Sequence, residues 1–279
     1  MPDSWYLKGC FRASMGYKLN LKNPQTFNEK LQWLKIHDRN PAYTQMVDKY
    51  LVRDYIKKTI GEKYLIPLLG VWDSFDEIDF DALPNQFVLK TNHDSGTVVI
   101  CKDKSTFDKE AAKQKINKRI GYNYYYAHRE WPYKNVPHKI IAEQYMVDES
   151  GAPDLVDYKF MCFNGKVKCT FTCTNRRSEN GLNVTFFDNN WQCLPFERHY
   201  PADKNTIPKP ACFDEMKQLS ERIAVDMGIS FVRIDFYEVN HEIKFGEITL
   251  FPGAGFEEFT PAEWDSKLGS WISLSKSKI

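Results

Sequence analysis

Apolar residues recur at helical spacing in the first part of the chain and at alternate positions through most of the rest. In Asn23-Pro24-Gln25-Thr26-Phe27-Asn28-Glu29, Thr26 followed by Glu29 reads as a capping box ahead of Leu31 and Leu34. Pro41 opens a second helix with Val47, Leu51 and Tyr55 on one side, closed by Gly61. From Pro84 the spacing shortens: apolar strands over 87–90 and 97–101 flank the polar loop Thr91-Asn92-His93-Asp94-Ser95-Gly96. A helix capped by Ser105 or Thr106 follows, with Ile116 and Ile120 on its buried side and Gly121 at its end. An aromatic-rich loop over 122–133 leads to a strand over 139–146. Strands with turns at Asn164-Gly165 and Asp188-Asn189-Asn190 come next, interrupted by one helix at about 213–227. Thr260-Pro261-Ala262-Glu263 reads as a second capping box, opening a helix that carries Trp264, Leu268 and Trp271 into the core.

This order implies an α/β chain of the α+β kind in three segments. They are a mainly helical N-terminal region over 1–83, a small strand–loop–strand–helix–strand subdomain over 84–146, and a C-terminal subdomain over 147–279. Among the 279 residues, 42% are hydrophobic and 27% charged, which excludes a disordered or fibrous chain. The net charge of +1 gives no overall field toward DNA or RNA, so no nucleic-acid partner is expected and any cationic site must be local. The seven cysteines show neither C-x-x-C nor zinc spacing and read as reduced thiols. The first 20 residues mix charges among aromatics, unlike a signal peptide, and no apolar run approaches the ~20 residues of a membrane span. A cytoplasmic location is expected.

The candidate chemistry centres on Phe231-Val232-Arg233-Ile234-Asp235-Phe236-Tyr237-Glu238-Val239 and its return strand over 242–250. Alternation sends Val232, Ile234 and Phe236 to the core and puts Arg233 and Asp235 together on the other face, while Glu247 and Thr249 share a face of the return strand. A three-residue turn pairing Val239 with Ile243 sets Asp235 opposite Glu247 and Arg233 opposite Thr249; a two-residue turn separates the carboxylates onto opposite faces. With the three-residue turn, two facing carboxylates call for a cation between them, and oxygen donors without His or Cys suit magnesium. Taken alone, the group reads equally as a solvated salt-bridge cluster. The Gly-rich turn Phe251-Pro252-Gly253-Ala254-Gly255-Phe256 follows, where backbone at Gly253 can approach a ligand closely.

Other charged positions have two readings each. Lys90 ends a strand before a loop closing in Ser95-Gly96, an arrangement that lets a cation and backbone N–H groups meet phosphate oxygens, although by itself it is an ordinary strand-end lysine. No Walker motif or G-x-G-x-x-G occurs. Asp157-Tyr158-Lys159 reads on its own as an edge-strand charge pair, and Arg176-Arg177 as an exposed basic pair or a site for an acidic sugar. Asp79-Phe80-Asp81 spells D-x-D, but within an acidic surface turn.

Taken together, the order from Asn23-Pro24-Gln25-Thr26-Phe27-Asn28-Glu29-Lys30 through Asp48-Lys49-Tyr50-Leu51-Val52-Arg53 to Gly253 resembles the ATP-grasp superfamily, most closely its polysaccharide-associated branch related to the teichuronopeptide synthesis (TupA-like) proteins. The resemblance implies an ATP-grasp fold, in which two α+β subdomains grip ATP beside a helical N-terminal region. It makes Lys49 similar to the lysine near the nucleotide, Lys90 to the strand lysine on the ATP phosphates, and His93, Ser95 and Gly96 to the mobile loop that closes over them. Ile140-Ile141-Ala142-Glu143-Gln144-Tyr145-Met146 resembles the adenine hinge, with Glu143 beside it and Asp148 or Glu149 at the ribose, and Lys159 the basic residue of the next strand. Asp235 and Glu247 match the magnesium carboxylates and Arg233 the arginine that stabilises the transferred phosphoryl group. Thr249 stands where many members carry Asn. The implied activity is ATP- and magnesium-dependent ligation through an acyl phosphate, joining a uronic-acid or similar carboxylate to an amino acid or amine in capsule or cell-wall polysaccharide assembly. Arg176, Arg177 and Gly253 are candidates for substrate contact. The alternatives are a metal-dependent glycosyltransferase and a small-molecule kinase on the same frame.

Overall fold

A computed structural model of the chain describes residues 1–149, 155–175 and 181–274. It divides into two compact units, Met1–Asn40 with Ala152–Ile279, and Pro41–Gly151. These units do not coincide with the sequence boundaries at 83/84 and 146/147, because the first helices bury their apolar sides against C-terminal elements. Helix α1 (Asp3–Met15) buries Leu7 and Phe11, which with Leu19 pack against Ile36 and Phe256. Helix α2 (Phe27–His37) begins at the expected capping box: Thr26 Oγ1 accepts from the Glu29 N–H and Glu29 Oε2 from the Thr26 N–H. From its fully buried side, Gln32 Nε2 donates to the Ala254 and Gly255 carbonyls and Lys35 Nζ to Ala254 at 2.8 Å.

In the Pro41–Gly151 unit, α3 (Tyr43–Val47) and α4 (Val52–Thr59) occupy the stretch that periodicity reads as one helix. The break arises at Asp48, whose Oδ1 accepts from the Tyr50 and Leu51 N–H groups and so competes with the helical ladder. Strand β1 (Leu68–Trp72) lies inside the region read as helical; its alternation is masked by an irregularity between Leu68 and Gly70. With β2 (Phe87–Thr91), β3 (Val98–Cys101) and, after α5 (Lys109–Ile120) and α6 (Tyr125–His128), β4 (Ile140–Gln144), it forms an antiparallel sheet ordered β1-β4-β2-β3. The cap of α5 is Asp108, not Ser105 or Thr106, which fall in a preceding 3₁₀ turn. The aromatic stretch read as loop contains α6 and a 3₁₀ turn, Trp131–Asn135. Phe87, Leu89, Ile140 and Ala142 pack with Ile116 of α5 in one cluster, so alternation leaves Lys90 and Glu143 on the opposite face.

The remaining elements are β5 (Asp157–Phe163), β6 (Lys166–Thr174), β7 (Asn183–Phe187), β8 (Glu197–Arg198), α7 (Phe213–Met227), β9 (Phe231–Val239), β10 (Glu242–Thr249), β11 (Phe259–Thr260) and α8 (Glu263–Ser270). They build a five-stranded antiparallel sheet ordered β10-β9-β5-β6-β7 and a two-stranded β8–β11 pair. Strand β5 is therefore the buried centre of the sheet rather than an edge. Asn164 and Gly165, at φ 49° and 82°, make the expected tight turn between β5 and β6. Helix α7 covers one face: Phe213 meets Phe160 at 5.5 Å between ring centres, and Cys162 Sγ approaches the Ser220 carbonyl. Helix α8 lacks the expected capping box; Ala262 is its cap, and Thr260 pairs instead with Glu197 in the β8–β11 ladder. Among the described residues no helix is long and apolar enough to cross a membrane.

Candidate active site

The β9–β10 hairpin turns through two residues, Asn240 and His241, with Val239 facing Glu242. Uninterrupted, that turn would set Asp235 opposite Gly246. A bulge between Phe245 and Glu247 restores the pairings Asp235 with Glu247 and Arg233 with Thr249, so the expected juxtaposition is present but arises from a bulge, not a three-residue turn. Glycine is what the bulge tolerates: a Cβ at Gly246 would lie 3.0 Å from the Asp235 carbonyl oxygen and 3.2 Å from the Tyr237 ring.

Strand β5 sets Lys159 against Asp235 from the other side, giving a row Glu247–Asp235–Lys159 across three strands on the face away from α7. Arg233 donates from Nε and Nη2 to the two Asp235 oxygens at 2.7 Å each, and from Nη2 to Glu247 Oε1 at 2.7 Å. The Lys159 ammonium contacts Asp235 and lies 2.6 Å from Asp157 Oδ2. Burial disfavours the charged forms of Lys159 and Arg233, but Asp235, Asp157 and Glu247 together outweigh it and raise both pKa values. Three carboxylates (Asp157, Asp235, Glu247) against two cations (Lys159, Arg233) leave this group one negative charge in excess.

The donors suit a hard cation. Asp235, Glu247 and Thr249 present oxygen on adjacent strands, and Thr249 Oγ1 donates to Glu247 Oε1 at 3.3 Å. Among the described residues no three of His, Cys, Asp or Glu cluster at metal-binding spacing. A magnesium ion here would draw its remaining ligands from water or phosphate oxygens. The two carboxylates differ: the Asp235 side chain is 2% exposed and held by two cations, whereas that of Glu247 is 39% exposed.

One neighbour carries no periodicity that sequence reasoning could use. Arg198, in two-residue β8, lies buried with its guanidinium 4.8 Å from the centre of the Phe171 ring, and Phe171 pairs with Lys159. Its partner Glu257 abuts Gly253, whose φ is 57° and where a Cβ would fall 2.2 Å from the Glu257 carboxyl carbon. Gly253 itself is exposed, while the following carbonyls of Ala254 and Gly255 are engaged by α2. Arg176 and Arg177 lie outside the described residues.

In the other unit, Lys90 Nζ lies 2.6 Å from Glu143 Oε2 and Arg53 Nη1 3.2 Å from Glu143 Oε1, so the Glu143 carboxylate orders two cations. Arg53 ties the Asp48-Lys49-Tyr50-Leu51-Val52-Arg53 segment to β4 through this contact, and its Nη2 also donates to the Ile66 carbonyl. Strand β4 ends at Gln144, exposed and with its N–H on the Pro67 carbonyl; Tyr145 and Met146 lie beyond the strand. The Lys49 ammonium donates to the Asp94 carbonyl. The Asp94 carboxylate accepts from Thr91, from Thr97 at 2.6 Å and from Arg119 Nε at 3.1 Å, and its pKa is held low by these hydrogen bonds against the effect of burial. His93 is buried and stacks on His138 at 3.7 Å. The base of the loop is thus anchored, and only Ser95 and Gly96, the latter at φ 91°, lie at the surface. Asp79 Oδ1 accepts from the Asp81 and Ala82 N–H groups, making the D-x-D segment a self-capped exposed turn.

The anchored loop has a pH signature. Burial, and then His138, lowers the His93 pKa to about 4 against the raising effect of Asp94. Between that value and the ~6.5 of a free imidazole, the unfolded chain binds more protons than the folded one, so stability falls as pH drops through this window. At pH 5 the loss is about 2 kcal/mol. Urea unfolding at pH 7 and pH 5 is expected to show this loss in the wild type and a flatter acid limb in His93→Phe. An identical acid limb in the two proteins would exclude His93 as its source.

A family model described as TupA-like ATPgrasp matches residues 29–273. No match is found among curated proteins. Similar solved structures include a D-alanine–D-alanine ligase from Helicobacter pylori, at 14% identity over 90% of this chain and 70% of that one, TM-score 0.45. A D-alanine–D-alanine ligase from Bacillus anthracis complexed with ATP matches at 14% identity over 81% and 64%, TM-score 0.46. An L-amino acid ligase from Bacillus licheniformis matches at 11% identity over 91% and 56%, TM-score 0.46.

Proposed function

The chain belongs to the TupA-like ATP-grasp family, and from that membership together with the ionic row on β5, β9 and β10 we propose that it is an ADP-forming carboxylate–amine ligase that uses ATP and magnesium. The observation that carries the reading is Arg233 bridging Asp235 and Glu247 on one sheet face, with Lys159 beside them. A substrate carboxylate oxygen attacks the γ-phosphorus of ATP, the bond to the β,γ-bridging oxygen breaks, and ADP leaves. The acyl phosphate is then attacked at carbon by an amine, which loses a proton as inorganic phosphate departs, leaving an amide.

This chemistry needs positioning and charge neutralisation more than a strong base. Magnesium, held by Asp235 and Glu247 with Thr249 beside them, would neutralise charge on the transferring phosphates. Arg233 and Lys159 are pre-charged donors already fixed by carboxylates, so they reach the reacting oxygens with little reorganisation. Lys49 and Lys90, with Ser95 and Gly96 of the exposed tip, are assigned to the phosphates, His93 to anchoring that loop, and Glu143 to holding Lys90. Gln144, Tyr145 and Met146 are assigned to the adenine edge. The substrates proposed are a uronic-acid or similar sugar carboxylate and an amino acid or amine, in capsule or cell-wall polysaccharide assembly, with Arg176, Arg177 and Gly253 among the substrate contacts. A magnesium-dependent ADP-release screen of uronic acids against amino acids tests this, with product mass identifying both partners. ADP release that needs no amine would favour a kinase, and release of UDP from a sugar nucleotide without ATP would exclude the ligase.

A further inference from the structure

The row on the sheet continues past the residues already assigned a role. Lys159 faces Phe171 on β6, and Phe171 faces Phe186 on β7, so the ionic half of the face runs into an aromatic floor. Arg198 lies over that floor, 4.8 Å from the Phe171 ring centre and 5.5 Å from that of Phe186. The Arg233 guanidinium approaches Phe171 as well, at 5.7 Å. Two guanidinium groups therefore flank one ring, on the face that carries Asp235 and Glu247.

The hydrogen bonding of Arg198 is incomplete. Its side chain is 7% exposed, and its Nε lies 2.9 Å from Glu257 Oε2. That contact is not in hydrogen-bond geometry: Arg198 Nε and Nη1 have no acceptor, and Glu257 Oε2 has no donor. A buried guanidinium with unmatched N–H groups is costly unless something else accepts from them. Burial lowers the Arg198 pKa, with Arg233 acting in the same direction and Glu257 against it, so the site holds this cation at some electrostatic cost. The fork geometry of Arg matches a carboxylate, which accepts two parallel N–H bonds.

We propose that Arg198 is a binding residue for a substrate carboxylate, separate from the phosphoryl-directed Arg233, and that Glu257 holds it in place until the substrate supplies the missing acceptor. The inference rests on the ligase reading only for what the carboxylate belongs to. It is either the group to be activated or the carboxylate of an amino-acid co-substrate.

The test uses the full chain with magnesium and the non-hydrolysable analogue AMP-PNP, and measures Kd by NMR titration for two matched pairs of probes, D-glucuronate with D-glucose and L-alanine with L-alaninamide. In the wild type, the carboxylate-bearing member of one pair is expected to bind roughly ten- to a hundred-fold tighter than its neutral partner, as charge-assisted hydrogen bonds predict. In Arg198→Met that preference should fall to about twofold or less. Loss in the glucuronate pair assigns Arg198 to the activated carboxylate, and loss in the alanine pair to the co-substrate.

Removing both ends of the imperfect pair in Arg198→Met/Glu257→Gln should leave the melting temperature unchanged or raised, as for a buried pair whose desolvation is not repaid by its attraction. A preference retained in Arg198→Met, no preference in the wild type, or a lowered melting temperature of the double variant would each overturn the assignment. Titration of AMP-PNP alone separates the two claims: absence of nucleotide binding counts against the ligase reading, while the probe preferences decide Arg198.

Discussion

Asp235→Asn is expected to abolish magnesium-dependent ADP formation and to destabilise the fold by about 3–5 kcal/mol, the usual cost of breaking a buried ion pair. The size follows from the surroundings. Asp235 is 2% exposed and its two oxygens compensate Arg233 and Lys159, themselves nearly buried. The neutral amide leaves both cations without their main counter-charge in a low-dielectric sheet face. Glu247→Gln should lose magnesium-dependent activity with a stability change within about 1 kcal/mol, because that carboxylate is partly solvated, its side chain 39% exposed. Urea midpoints together with ADP release separate the two. Equal stability of Asp235→Asn and wild type would mean that the row is not a compensated buried network.

The second large effect lies away from the site. In Gly269→Ala the added methyl would fall 2.1 Å from the Gln25 carbonyl oxygen and 2.7 Å from both Phe27 N and the Thr26 carbonyl carbon. All three are backbone atoms at the start of α2, so no side chain can turn aside, and α8 must lift from α2. The same junction holds Asn28 N on Asp265 Oδ1 at 3.0 Å and Lys30 Nζ on the Gly269 and Ile272 carbonyls at 2.8 Å, which lifting would also strain. A loss of about 3 kcal/mol or more is expected, read as a lowered urea midpoint. A wild-type midpoint would show that α8 does not seat this closely.

The comparison of pattern with structure turns on what alternation and capping can encode. The period-2 signal in β9 put Arg233 and Asp235 on one face, and the Thr26–Glu29 signature located the start of α2, because both are local. The facing of Asp235 with Glu247 was legible only through a wrong turn. The bulge at Gly246 adds one residue to β10, so counting from either turn length gives a register without revealing which is real. Lys159 looked like part of an edge because Asp157 and Lys159 are charged; the Lys159 ammonium, held between Asp157 and Asp235, is what lets charge sit in a central strand. Arg198 and Arg119 had no signal: one stands in a two-residue strand, the other near the end of an amphipathic helix, and their partners Glu257 and Asp94 are distant in sequence. The grouping of residues 1–40 with the C-terminal unit was likewise invisible, since periodicity shows that a helix has an apolar side and not what covers it.

The central claim is that Arg233, Asp235 and Glu247 serve the transfer of a γ-phosphoryl group to a carboxylate, and trapping the product of that step tests it most directly. Wild-type protein is incubated with magnesium, ATP and a panel of uronic and amino acids in the presence of hydroxylamine, and hydroxamate, ADP and AMP are quantified. The account predicts hydroxamate formed in equal amount with ADP, only in the presence of a carboxylate, and lost in Glu247→Gln. Hydroxamate accompanied by AMP and pyrophosphate, or ADP formed in full without a carboxylate, would contradict it.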